Sequence, residues 1–226
     1  MVGQAIGEVL AFGVGVALSP LAIVALVVML VSANGARPAW AFAGAWLLSL
    51  GAVSTVVLLV ADGADASSQG APASWVSVVK IVVGLLLVLF GVRGWRGRGA
   101  REAEAATPGW IGHLDSVTVA RAAGLAAAFN IVKPKNLLLT VGAAVAVAQV
   151  GASPAGQASA LCVYVVLGTV GLGVPLAIHV LMPSRGTDLL IELRDWMVRE
   201  NATIIAVLAL VIAAKLLGDA LISLSS

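Results

Sequence analysis

Apolar residues fall into six long blocks, at about 5–31, 39–61, 75–92, 119–149, 157–182 and 202–222, parted by short polar segments that hold most of the Arg, Asp and Glu. A bilayer core of about 30 Å needs roughly 20 apolar residues in a helix, so each block is a candidate transmembrane helix. None shows the strict alternation of a membrane barrel strand. Blocks one and four are the longest, and each carries a Pro near its centre, in Ser19-Pro20 and in Lys133-Pro134. Proline removes a helical donor and pushes the preceding residue out of helical geometry. Helices 1 and 4 are therefore predicted to be broken at Pro20 and Pro134. The first block has no Lys or Arg before it and runs past the length of a signal core, so it is expected to be a span, not a cleaved leader.

Six spans divide into three and three, and two such halves relate to each other only by inversion across the membrane. The sequence supports this. Block one ends in Gly35-Ala36-Arg37-Pro38 and block four in Gly151-Ala152-Ser153-Pro154; the central prolines lie 114 positions apart and the turn prolines 116. The predicted fold class is an all-α integral membrane protein with six transmembrane helices as two inverted three-helix repeats. The expected divisions are 1–95 for the first repeat, 96–118 for an Arg-rich cytoplasmic linker and 119–226 for the second.

Composition agrees with membrane residence: 61% of the 226 residues are apolar and 11% charged, with a mean hydropathy of +1.08. Charge adds orientation. All nine Arg lie in or beside loops on one face of the six-span arrangement, after blocks one, three and five, whereas all four Lys lie inside apolar blocks. The positive-inside rule makes the Arg face cytoplasmic and puts both termini outside, in a multi-pass protein of the cell membrane. The net charge of +2 reflects this orientation, so no nucleic-acid partner is inferred from it. The segment 188–197 repeats apolar residues at 189, 190, 193, 196 and 197, which predicts a helix lying in the inner interface ahead of block six, anchored by Trp196.

Candidate chemistry concentrates in Asn130-Ile131-Val132-Lys133-Pro134-Lys135-Asn136. An ammonium at the centre of a span costs roughly 2.5–3.5 kcal/mol on insertion scales and usually faces a cavity or polar partner. Lys133, Lys135, Asn136, Asn130 and Ser19 are the candidate substrate-binding residues, meeting where the breaks at Pro20 and Pro134 expose backbone carbonyls and half-helix ends. Such a site favours an anionic group. Lys80 and Lys215 enter blocks three and six near one boundary and are expected to snorkel, with Glu8, Asp62 and Asp219 near enough to neutralise them or to serve as proton-linked acids. The single Cys162 excludes dithiol exchange within one chain, and His113 and His179 have no metal-ligand spacing, so neither metal nor cofactor is expected. No Ser/His/Asp set, HExxH or paired aspartate lies at depth, and no enzymatic activity is expected.

The Ala17-Leu18-Ser19-Pro20-Leu21-Ala22-Ile23 centre of block one, the 130–138 segment of block four, Gly91-Val92-Arg93-Gly94-Trp95-Arg96 and the closing stretch from Trp196 to Lys215-Leu216-Leu217-Gly218 resemble the GAP or Sap-type glycolipid-addressing membrane proteins, grouped with the lysine exporter (LysE) superfamily. The resemblance covers nearly the whole chain, and its most specific part is Pro134-Lys135-Asn136. It implies six helices in two inverted three-helix halves and a role in carrying or addressing cell-envelope glycolipids or related solutes to the outside. With the anion-favouring site and the inverted halves, the expected function is a membrane transporter exporting cell-envelope glycolipids or another anionic amphiphile by alternating access at a midplane site. An amino-acid or small-solute exporter, and a non-transporting accessory subunit of a larger lipid exporter, are the alternatives. Expected partners are membrane lipids or glycolipid, a larger lipid exporter in the accessory reading, and a second copy in a homodimer built on Gly- and Ala-rich faces.

Overall fold

The computed structural model describes residues 2–32, 36–63, 67–68, 71–72, 74–96, 114, 116–182 and 184–225. Most of the 96–118 linker, Gly35, Asp65, Arg98, Arg101 and His113 lie outside these residues. The described chain forms α1 (Val2–Ala17), α2 (Pro20–Val31), α3 (Arg37–Gly63), α4 (Ser74–Arg96), α5 (Val119–Ile131), α6 (Pro134–Gln149), α7 (Pro154–Leu181) and α8 (Gly186–Ser225). A two-residue antiparallel ladder, Ser67–Ser68 with Ala71–Pro72, joins α3 to α4.

Both expected helix breaks are present and have the same local cause. Ser19 (φ −104°, ψ 89°) and Lys133 (φ −74°, ψ 117°) are held out of helical geometry by the prolines that follow them, which open α2 and α6. The chain bends by 52° between α1 and α2 and by 63° between α5 and α6. At 1.5 Å per residue, none of these four segments reaches a 30 Å core alone. Among the described residues, three helices are long and apolar enough to cross a membrane, within α3, α7 and α8, or up to five spans if each bent pair is one.

Packing follows from the apolar faces. α1 lies along α7, α5 along α3 and α4 along α8, while α2 also packs on α8 and α6 on α1 and α3. α2 is apolar on every side, and Pro20 and each residue from Ala22 to Leu30 are buried; residues 142–148 of α6 are buried as well. Helices without a polar face belong in the interior. The second halves of the two broken helices, α2 and α6, thus lie at the centre of the bundle.

Helix α8 departs from the expectation for 188–197. That segment is not a separate interfacial helix but the first part of a single 40-residue helix, about 60 Å long and twice the thickness of a bilayer core. Leu190 and Met197 are buried against the protein, Leu193 packs on the core, and Trp196 and Leu189 stay exposed. Tertiary packing covers the Leu190, Leu193 and Met197 part of the stripe, which favours continuing the helix over turning it along a surface.

One close approach locks the first break in place. A Cβ on Gly171 of α7 would land on the carbonyl oxygen of Ala17, the last residue of α1, whereas one on Gly173 would meet nothing within 4 Å. Gly171→Val is expected to lower stability by about 3 kcal/mol, and Gly173→Val by far less. Unfolding midpoints of the purified variants check this; equal midpoints would overturn the close approach.

Candidate functional site

The two breaks meet. A cavity of about 60 Å³ is lined by Ser19, Pro20, Leu21 and Ala22 from the first break, Phe129, Lys133, Lys135 and Asn136 from the second, and Ile205 of α8. Four of the five candidate site residues therefore share one wall or another of a single space. The fifth, Asn130, is fully buried directly behind it.

A helix would turn residues two apart to nearly opposite sides; the break instead brings both lysines to the cavity. Lys133 is the residue held extended before Pro134, and its Nζ lies over the Phe129 ring, 3.4 Å from the centroid. This is a cation–π contact across one former helical turn. The Lys133 ammonium makes no hydrogen bond among the described residues, although its carbonyl accepts from Leu137 N at 3.1 Å. Lys135 lies one residue into α6 and reaches across the bundle, where its Nζ donates to the carbonyls of Gly15 at 2.9 Å and Leu18 at 3.0 Å. These carbonyls belong to the end of α1 and the joint before Pro20, where the ordinary run of helical donors stops. The ammonium caps the broken end of α1, and the dipole at a helix C-terminus favours a positive charge there.

Asn136 joins the two breaks. The Ser19 hydroxyl donates to its Oδ1 at 3.1 Å, and its Nδ2 donates to the Phe129 carbonyl at 3.2 Å and, at a long 3.5 Å, to Asn130 Oδ1. Asn130 Nδ2 donates in turn to the Trp46 carbonyl at 3.1 Å and to Ser49 Oγ at 2.9 Å on α3. Thr140 donates to the Asn136 carbonyl at 2.8 Å and shares a 2.9 Å hydrogen bond with the Tyr164 hydroxyl of α7. Trp46 Nε1 closes the set on the Gly168 carbonyl at 3.2 Å. Polar groups at this depth persist because each has a partner.

Several participants are not marked in the sequence by unusual chemistry. Phe129 sits four residues before Lys133 and Thr140 four after Asn136, the spacing at which helical side chains meet, so helical periodicity carries a signal for both. Ile205, Ser49, Trp46 and the Gly15 and Leu18 carbonyls carry none, since they come from distant elements. The outer polar residues also depart from expectation in part. Lys80 does not snorkel; it is 8% exposed. Asp62 accepts from Gln157 Nε2 at 3.1 Å, not from a lysine.

Long apolar helices, with two bent pairs whose breaks enclose a cavity bearing lysine amines, define a multi-pass membrane protein. The family model described as Sap, sulfolipid-1-addressing protein, matches residues 9–222, and the chain belongs to that family. No curated protein and no solved structure matches the chain.

Proposed function

We propose that the protein is an exporter of a cell-envelope glycolipid or another anionic amphiphile, working by alternating access at the cavity between the two breaks, with Lys133 contacting the anionic group. The observation that carries this is the pairing of Lys133, whose amine lies over the Phe129 ring with no hydrogen bond among the described residues, with Lys135, which holds the broken end of α1. One amine is open to a ligand while the other keeps the cavity in shape. A cavity of about 60 Å³ has room for a few waters or a small charged group, so it takes the headgroup's anionic part while apolar chains remain in the bilayer.

The alternation rests on two inverted three-helix halves, with α1–α2 bent span, α3 and α4 facing α5–α6 bent span, α7 and α8, and with α4 as the sixth span. The packing supports such an exchange: α1 on α7 corresponds to α5 on α3, and α4 on α8 corresponds to itself. In both Ser19-Pro20 and Lys133-Pro134 a non-helical residue precedes a proline that opens the next helix. In this arrangement the Arg-bearing loops are cytoplasmic and both termini external.

Reconstitution tests the proposal. Purified protein in phosphatidylcholine vesicles is expected to move a fluorescent long-chain sulfate ester across the bilayer without any other protein. If the probe moves only when a second protein is added, the accessory-subunit reading replaces this one. If a free amino acid moves and the ester does not, the small-solute reading replaces it.

A further inference from the structure

A second polar cluster lies away from the cavity, where α1, α4 and α8 come together. Lys215 of α8 donates to Glu8 of α1 at 2.8 Å and to Asp219, one turn along α8, at 2.7 Å. All three are part-buried, with side chains 28% to 30% exposed. Lys80 of α4 is buried within electrostatic reach of Asp219, Glu8 and Lys215. Two cations and two carboxylates make the group neutral as a whole.

Among the described residues, the elements packed around the cluster bring few other titratable groups. On α7, packed along α1, the titratable groups are Cys162, Tyr164 and His179, with no carboxylate or amine; α6 carries only Lys135, at the far end of α1; α2, packed on α8, has none. The remaining charges of α4 and α8, from Arg93 and Arg96 to Asp188, Glu192, Arg194, Asp195, Arg199 and Glu200, lie two or more turns away along their own helices.

The cluster is mechanically connected to the cavity through α1. Glu8 and Gly15 are two helical turns apart on one face of α1. A Cβ at Gly15 would meet Ile212 of α8 at 2.5 Å and Leu139 of α6 at 3.0 Å, so α1 is seated on α8 one turn from Lys215. The Gly15 carbonyl is also one of the two that hold Lys135. Helix α1 is thus fastened near its middle by Lys215 through the Glu8 carboxylate, and at its C-terminal end by Lys135 through carbonyls.

We propose that the Glu8–Lys215–Asp219–Lys80 cluster is a proton-binding site that couples protons to opening of the cavity. It deepens the exporter reading and rests on it for its physiological use. A proton from bulk water adds to a carboxylate oxygen of Glu8 or Asp219; an O–H bond forms, the ion pair to Lys215 becomes a hydrogen bond to a neutral acid, and the cluster acquires a net positive charge. Which carboxylate holds the proton is a property of the coupled group. An unbalanced charge in a poorly solvated site is unfavourable, so α1 separates from α8 and water enters. Because α1 moves as a rigid helix, the Gly15 and Leu18 carbonyls leave Lys135 and the cavity opens. Release of the proton to water restores the pair.

The test measures the separation of spin labels at Leu10 and Val207, exposed positions on α1 and α8, in full-length Cys162→Ser protein in phosphatidylcholine vesicles. Between about pH 7 and about pH 3.5, across the ordinary carboxylate range, the labels are expected to move apart by about 2 Å. Glu8→Gln is expected to hold the acid separation at both pH values, and Glu200→Gln to respond as the parent does. Asp219→Asn gives the same test if Glu8→Gln does not fold. A separation independent of pH, or a Glu8→Gln or Asp219→Asn protein that still responds fully, overturns the proposal. Uptake of the fluorescent sulfate ester in the same vesicles separates the two readings: a responsive separation without uptake sinks the exporter and leaves the proton site, whereas uptake with a static separation sinks the proton site alone.

Discussion

Lys133→Ala and Lys135→Ala are each expected to abolish movement of the anionic ester in vesicles, for different physical reasons that a stability measurement separates. The Lys133 amine faces the cavity with an aromatic ring as its contact. Its loss removes a charge-assisted hydrogen bond to the ligand, worth about 1.5–3 kcal/mol, or about tenfold to a hundredfold in affinity, and leaves the fold nearly untouched. Lys135→Ala instead strips the donor from the Gly15 and Leu18 carbonyls, so its thermal unfolding midpoint is expected to fall as well. Lys133→Arg keeps the charge over the ring and is expected to restore part of the transport. Lys135→Arg is expected to restore little, because a planar guanidinium does not reproduce two convergent bonds of 2.9 and 3.0 Å from one nitrogen. Normal transport by both Ala variants would sink the assignment of the cavity as the site.

Asn136→Ala is expected to produce the largest loss of stability among the uncharged site residues, about 2–3 kcal/mol. Polar bonds between membrane helices average only about 0.6 kcal/mol in double-mutant cycles, which is the scale expected for Ser19→Ala. Asn136 does more than make one such bond. It receives Ser19 from the first break, donates to the Phe129 carbonyl in the last turn of α5, and touches Asn130, all in a position only 2% exposed. Its removal leaves the Ser19 hydroxyl without its acceptor and takes a donor from the α5 end. Unfolding of Asn136→Ala and Ser19→Ala in the same detergent checks the ratio; equal losses would show that Asn136 does not join the breaks.

The segments in which chemistry is expensive were the legible ones. Two amines in an apolar block, and a proline in the middle of each of two long blocks, announce themselves because bilayer energetics and backbone sterics act on the residue itself and its immediate neighbours. The breaks at Pro20 and Pro134, and the candidates Ser19, Asn130, Lys133, Lys135 and Asn136, follow from those local rules. The amphipathic stripe at 189, 190, 193, 196 and 197 was legible as a helix but not in its placement. A stripe records that an apolar face will be covered, not whether lipid or the rest of the protein covers it.

The chain by itself determined membrane residence, the apolar blocks that become helices and where two of them break, since hydropathy, length and proline geometry are properties of contiguous residues. Tertiary structure decided what those breaks face. Only packing places the Gly15 and Leu18 carbonyls 120 and 117 positions away from Lys135 in contact with its amine, buries Lys80 where an exposed, snorkelling side chain was expected, and draws Glu8 to Lys215 across 207 positions. Such contacts depend on how several helices seat against one another at once, and no local pattern encodes a distance between helices.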